Sequence, residues 1–113
     1  MKKVEAIIRP SKLKAVQRGL KDAEIPCITV VPVKGTGLQN SFSERYRGTE
    51  QSLILHSKVM IVCVVSDKHL EKCIDVIKDN ASENQVGDGK IFIYDVQDAI
   101  RLSTGARGHD AII

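Results

Sequence analysis

The stretch KVMIVCVVSDKHLEKCIDVIKDNA, residues 58–81, changes its hydrophobic period part-way along, and that change decides the architecture. Residues 58–65 are apolar on both faces apart from Lys58, the pattern of a strand with protein on both sides. After Asp67, a candidate helix cap, Leu70, Cys73, Ile74, Ile77 and Ala81 recur at i, i+3, i+4 and i+7. That spacing puts them on one face of an α-helix.

The same order precedes it. KVEAIIR (3–9) alternates Val4, Ala6 and Ile8 on one strand face, and after Pro10 and Ser11, a second candidate cap, Leu13, Val16, Leu20 and Ala23 follow helical spacing until Pro26 stops the helix. CITVVPV (27–33) is β-branched and reads as a second strand. Pro32 has no N–H to give a ladder, which places this strand at a sheet edge or the proline at a bulge. KIFIYDV (90–96) is the fourth strand, and QDAIRL (97–102) is at most a turn of helix. The chain is β-α-β, a long gap, then β-α-β. The simplest packing is an α+β, ferredoxin-like βαββαβ (split βαβ) sandwich, with two helices on one face of four antiparallel strands. Copies of the chain are expected to cover the open face for each other.

With 113 residues, 42% hydrophobic and 27% charged, the chain is one domain. The core is aliphatic: Phe42, Phe92, Tyr46 and Tyr94 are the only aromatics, too few for a stacking platform, so no nucleic acid partner is expected. A net charge of +3, spread along the chain, suits a phosphate-bearing small molecule. Cys27, Cys63 and Cys73 form no C-x-x-C pair and read as buried free thiols of a reducing compartment. No signal-like apolar region follows Met1 and no run approaches a spanning helix, so a cytoplasmic protein without direct membrane insertion is expected.

Two segments lack a regular period. Residues 37–57 are too long for an ordinary connection. With Glu44, Arg45, Tyr46, Arg47 and Glu50 at the tip, they read either as a partner-binding finger or as a hydrophilic hairpin tip. Gly87, Asp88, Gly89 and Lys90 open the fourth strand: either a cradle whose backbone N–H groups hold phosphate, or a tight turn. KGTG (34–37) and AIRLSTGARG (99–108) add further glycines and bases. His56, His69 and His109 lack metal-ligand spacing, and no G-x-S-x-G or acidic pair occurs. Any ligand is therefore expected to be sensed, not turned over.

VEAIIRPSKL, VKGTGLQ, ERYRGTE, GDGKIFIYDV and AIRLSTGARGHDAII, in that order, together resemble the PII nitrogen-regulatory signal proteins over nearly the whole chain. The resemblance implies a single PII-like domain over 1–113, a homotrimer, a protruding T-loop at 37–57, a phosphate-binding loop at 82–90 and a C-terminal loop at 99–113. It implies competing ATP and ADP in clefts between subunits, with 2-oxoglutarate bound through Mg²⁺ chelated by ATP. Gly87, Gly89 and Lys90 would hold phosphates, with Asp88 in the same nucleotide-binding loop, Thr29, Gly35 and Gly37 would line the cleft, Ile7 and Val64 would wall it, and Arg101 would reach in. Gln39 would contact metal and 2-oxoglutarate, and Lys58 would pair with a carboxylate of that effector. Tyr46 and Arg47 would meet the partner, an ammonium transporter or a nitrogen-metabolism enzyme.

The departures carry implications of their own. Leu38 and Ser103 stand where the family usually has arginines, which implies weaker triphosphate binding or a shift towards ADP. The alternative this opens is a divergent adenine-nucleotide sensor without a 2-oxoglutarate response. Gln51 replaces the tyrosine that many relatives uridylylate, so that modification is ruled out there. Thr49 corresponds to a serine phosphorylated in some members, and Met60 and Val62 stand where charged residues are common.

Overall fold

The alternation at the N-terminus becomes β1 (Lys2–Ile8), whose Val4, Ala6 and Ile8 are all but sealed from solvent. The structure is a computed structural model and describes residues 1–36 and 54–113. Its further elements there are α1 (Leu13–Asp22), β2 (Thr29–Gly35), β3 (His56–Val65), α2 (Leu70–Ala81), β4 (Gly89–Asp95) and a short α3 (His109–Ile112). The sheet order is β2-β3-β1-β4 and every neighbouring pair is antiparallel. This is the split βαβ arrangement, with β2 at an edge. Pro32, opposite Val59, therefore lies on a strand that pairs on one side only, where a proline is tolerated.

Register fixes which residues meet. Val4, Ala6 and Ile8 lie opposite Cys63, Ile61 and Val59, and this inward set packs against Val16 and Leu20 of α1 and Cys73, Ile77 and Ala81 of α2. Burying each large aliphatic side chain stabilises by about 1.5–3 kcal/mol, so this one layer carries the fold. The Cys63 and Cys73 sulfurs touch at 3.7 Å, and that contact together with burial pushes the Cys73 thiol up from its ordinary pKa. On the other face Ile7, Met60, Val62 and Val64 are half-buried, Phe92 is exposed, and Lys3 pairs with Glu5 at 3.4 Å while lying 5.0 Å from the Tyr94 ring centre.

Neither expected cap holds. α1 and α2 are each led by a 3₁₀ turn, Pro10–Lys12 and Asp67–His69, with no side-chain cap, and Ser11 lies inside the first. Asp67 instead accepts from the N-terminal amine of Met1 at 3.0 Å. The first helix stops before Pro26: Glu24 turns left-handed at φ 64°, and the Ile25 N–H reaches the Leu20 carbonyl at 2.8 Å. Cys27 is exposed and precedes β2, which starts at Thr29, so its thiol is not a core hydrophobe. Residues 97–102 form no helix; Ile100 bridges to Arg107, and Asp98 ties the segment by accepting from Arg107 Nε at 2.9 Å and Gly108 N at 3.1 Å. The third strand begins at His56, taking in the last two residues assigned to the long loop.

Candidate functional site

The 82–90 segment is held by its own aspartate. Asp88 Oδ2 accepts from the backbone N–H of Glu83 at 2.8 Å, of Gln85 at 3.1 Å and from the Ser82 hydroxyl at 3.1 Å. These bonds, first that from Gln85, outweigh burial and hold the Asp88 carboxyl down at about 2. Its other oxygen faces Arg9 Nε at 3.3 Å, and Arg9 also donates to the Val86 carbonyl at 3.0 Å. Asp88 thus organises the loop.

The end of β4 lies against β1. Gly89 has φ 109°, and a Cβ there would stand 1.7 Å from the Ile7 carbonyl oxygen, which no side chain could tolerate. Gly87 also has positive φ, 98°. Lys90, opposite Ile7 in register, is exposed. From β3, Lys58 Nζ donates to the Gly87 carbonyl at 2.6 Å. Burial first and the Arg9 guanidinium second hold the Lys58 ammonium below its ordinary pKa.

Beside this loop is a cavity of about 370 Å³ lined by Arg9, Pro10, Ser11, His56, Ser57 and Lys58. Of these, the sequence reading had singled out Lys58 alone as an effector contact. Arg9 was missed because its partners lie more than seventy residues away, although a base directly after a strand and before a proline is a visible signal. His56 and Ser57 were hidden inside the presumed loop.

The remaining candidates divide by position. Ile7, Lys58, Gly87, Asp88, Gly89 and Lys90 gather at one end of β1, β3 and β4, and Gly35, opposite His56, ends β2 on the same side. Among the described residues nothing comes within 4 Å of where a Gly35 Cβ would stand. Thr29 lies opposite Val62, and Val64 opposite Lys3, towards the other end. β4 ends at that far end, where the Val96 N–H bonds the Met1 carbonyl, and Arg101 comes six residues after the strand, its guanidinium donating to the Ile113 carbonyl. Gly37, Gln39, Tyr46 and Arg47 lie outside the described residues. Among the described residues no cluster of three or more His, Cys, Asp or Glu could hold a metal ion, and no helix is long and apolar enough to cross a membrane.

The family model described as nitrogen regulatory protein P-II matches residues 1–106. The chain belongs to this family. A nitrogen regulatory protein P-II of Pasteurella multocida is 45% identical to it over 112 residues, 99% of this chain and all of the relative. That of Rhodospirillum rubrum has the same identity and coverage, and nitrogen regulatory protein GlnK2 of Haloferax mediterranei is 44% identical over 99% of this chain and 91% of its own length. The P-II likeness therefore spans strands, helices and the 82–90 loop alike. Within that loop glycine is required at Gly89 by contact with β1, and a lysine follows it at the surface.

Proposed function

We propose that this P-II protein is a non-enzymatic signalling protein that binds ATP or ADP and, with MgATP, 2-oxoglutarate, in clefts between three copies of itself. Ligand state would then decide whether residues 37–57 dock on an ammonium transporter or a nitrogen-metabolism enzyme. The observation that carries the reading is the loop itself: a glycine-bearing turn pinned by Asp88, with Lys90 at its mouth and Lys58 bonded to its backbone.

In this reading Gly87, Gly89 and Lys90 take phosphates, Asp88 keeps the turn in shape, and Ile7 and Val64 supply apolar walls. Thr29, Gly35, Gly37 and Arg101 complete the cleft, and the division of these residues between two ends of one chain supports a site shared by neighbours. Bound Mg²⁺ would neutralise phosphate charge and bridge nucleotide to 2-oxoglutarate. Gln39 is the residue to hold it, and Lys58 the residue to face an effector carboxylate. Tyr46 and Arg47 would make the partner contact.

Calorimetric titration with ATP and ADP, each with Mg²⁺ and with or without 2-oxoglutarate, tests this. Binding of 2-oxoglutarate only in the presence of MgATP is the expected result; failure of every adenine nucleotide to bind would overturn the reading. Leu38 and Ser103 favour a second one, because neither offers a cation to a triphosphate. Nucleotide binding with no response to 2-oxoglutarate would establish that divergent adenylate sensor instead.

A further inference from the structure

We infer that His56 is a third recognition group of the Arg9–Lys58 cavity, and that a small dicarboxylate effector seated there binds together with a proton taken up by this imidazole. The inference rests on the proposed function, which brings 2-oxoglutarate to Lys58.

Geometry supplies the first argument. His56 and Lys58 are two residues apart on β3, so they stand on one face of the sheet, and both line the cavity that Arg9 closes from the end of β1. Ser11 and Ser57 add hydroxyls to the same lining. A carboxylate entering between Arg9 and Lys58 therefore has an imidazole within the same 370 Å³ space.

Charge supplies the second. Arg9 is already engaged by Asp88 at 3.3 Å and Glu83 at 3.9 Å, and Glu83 also takes Lys12 at 3.0 Å. Among the described residues, Arg9, Lys12, Lys58, Glu83 and Asp88 thus bring three positive and two negative charges together. A dicarboxylate arriving there adds negative charge beside His56, which protonation of the imidazole offsets. Among the described residues, Arg9 after β1, Ser11 from the 3₁₀ turn, and Ser57 and Lys58 from its own strand line the same cavity as His56, and the Glu83-paired Lys12 belongs to that 3₁₀ turn. Gly35 is its register partner on β2, and Lys34, one residue away, lies on the opposite face of that strand. Histidine is the side chain whose charge changes within the physiological range, and a nearby anion favours its charged form. Effector binding must then tighten as pH falls.

The test is calorimetric titration of the full chain, saturated with MgATP, by 2-oxoglutarate. It is run from about pH 6 to about pH 8, the range in which an imidazole titrates, in buffers of different ionisation enthalpy. Wild type, His56→Gln and His56→Lys are compared, with thermal melts to verify folding. The wild type should bind about tenfold more tightly at the acid end and take up a proton on binding near neutrality. His56→Gln should lose both the slope and the uptake, and His56→Lys should bind tightly at every pH with neither. If wild type and His56→Gln share the same pH slope and the same proton uptake, the inference is overturned while the proposed function stands. If 2-oxoglutarate gives no binding heat at any pH, the effector reading falls and takes this inference with it.

Discussion

Gly89 and Asp88 are neighbours held in place for opposite reasons, one by lack of room and the other by abundance of partners. At φ 109°, with the Ile7 carbonyl 1.7 Å from a would-be Cβ, Gly89→Ala must push β4 off β1. It should cost about 2–4 kcal/mol in urea unfolding, and a loss below about 0.5 kcal/mol would show that the strand end yields freely. Asp88 makes a prediction with a sign. Its carboxyl is held at about 2, below the ordinary 3.8, so its contribution is present above roughly pH 4 and fades as acid approaches pH 2. Asp88→Asn should therefore unfold more easily than wild type at neutral pH, and the two unfolding curves should converge between those limits. A gap of constant size down to pH 2 would mean that the charge does not hold the loop. None of this was legible in the letters GDGK, which suit a phosphate cradle and a tight turn equally. What separates the roles is Arg9, whose place beside Asp88 is set by the closure of β4 onto β1.

At the scale of elements, the crossing of α1 and α2 hangs on a glycine. A Cβ on Gly19 would stand 2.6 Å from Asn80 Nδ2 and 3.0 Å from Val76 Cγ1, and that Asn80 amide is committed to the Val76 carbonyl at 2.8 Å. Alanine's helix propensity alone would favour Gly19→Ala by about 1 kcal/mol, but overpacking of this kind costs about 1–3 kcal/mol. The single variant should be less stable than wild type, whereas in an Asn80→Ala background the same change should be neutral or stabilising. Additive effects in that double-mutant cycle would mean that the close approach to Asn80 carries none of the cost. The elements themselves were legible because their periods are clean: Val4, Ala6 and Ile8 alternate, and Cys73, Ile77 and Ala81 recur by helical turns. Their ends were not. Asp67 has the chemistry of a cap, yet its carboxylate is claimed by the amine of Met1, 66 residues away. Cys27 is β-region by composition, yet the edge strand starts two residues later and leaves its thiol exposed. Local letters carry period well; they do not carry competition from distant partners.

For the whole molecule, the division of the candidate site becomes a statement about assembly. Lys90 opens β4 and Arg101 comes six residues after its far end, β4 being a seven-residue strand that spans roughly 20 Å at about 3.3 Å per residue, and the proposed cleft takes the two cations from neighbouring chains. The open sheet face, with half-buried Ile7, Met60, Val62 and Val64, points the same way. Under the proposed trimer, folding and association are linked by mass action. The unfolding temperature should then rise as chain concentration is increased a hundredfold, and sedimentation should report a particle of about three times the 12.4 kDa chain mass. Adding nucleotide at about 100 times its Kd should stabilise further, by about 2.7 kcal/mol for each site. Arg101→Ala and Lys90→Ala should each weaken that nucleotide effect. Mixing the two variants before assembly should restore it in part, because a trimer containing both kinds of chain has clefts in which both cations are wild type. An unfolding temperature independent of concentration would count against a linked assembly. Mixed trimers that recover no nucleotide stabilisation would mean that both cations of a working cleft come from one chain.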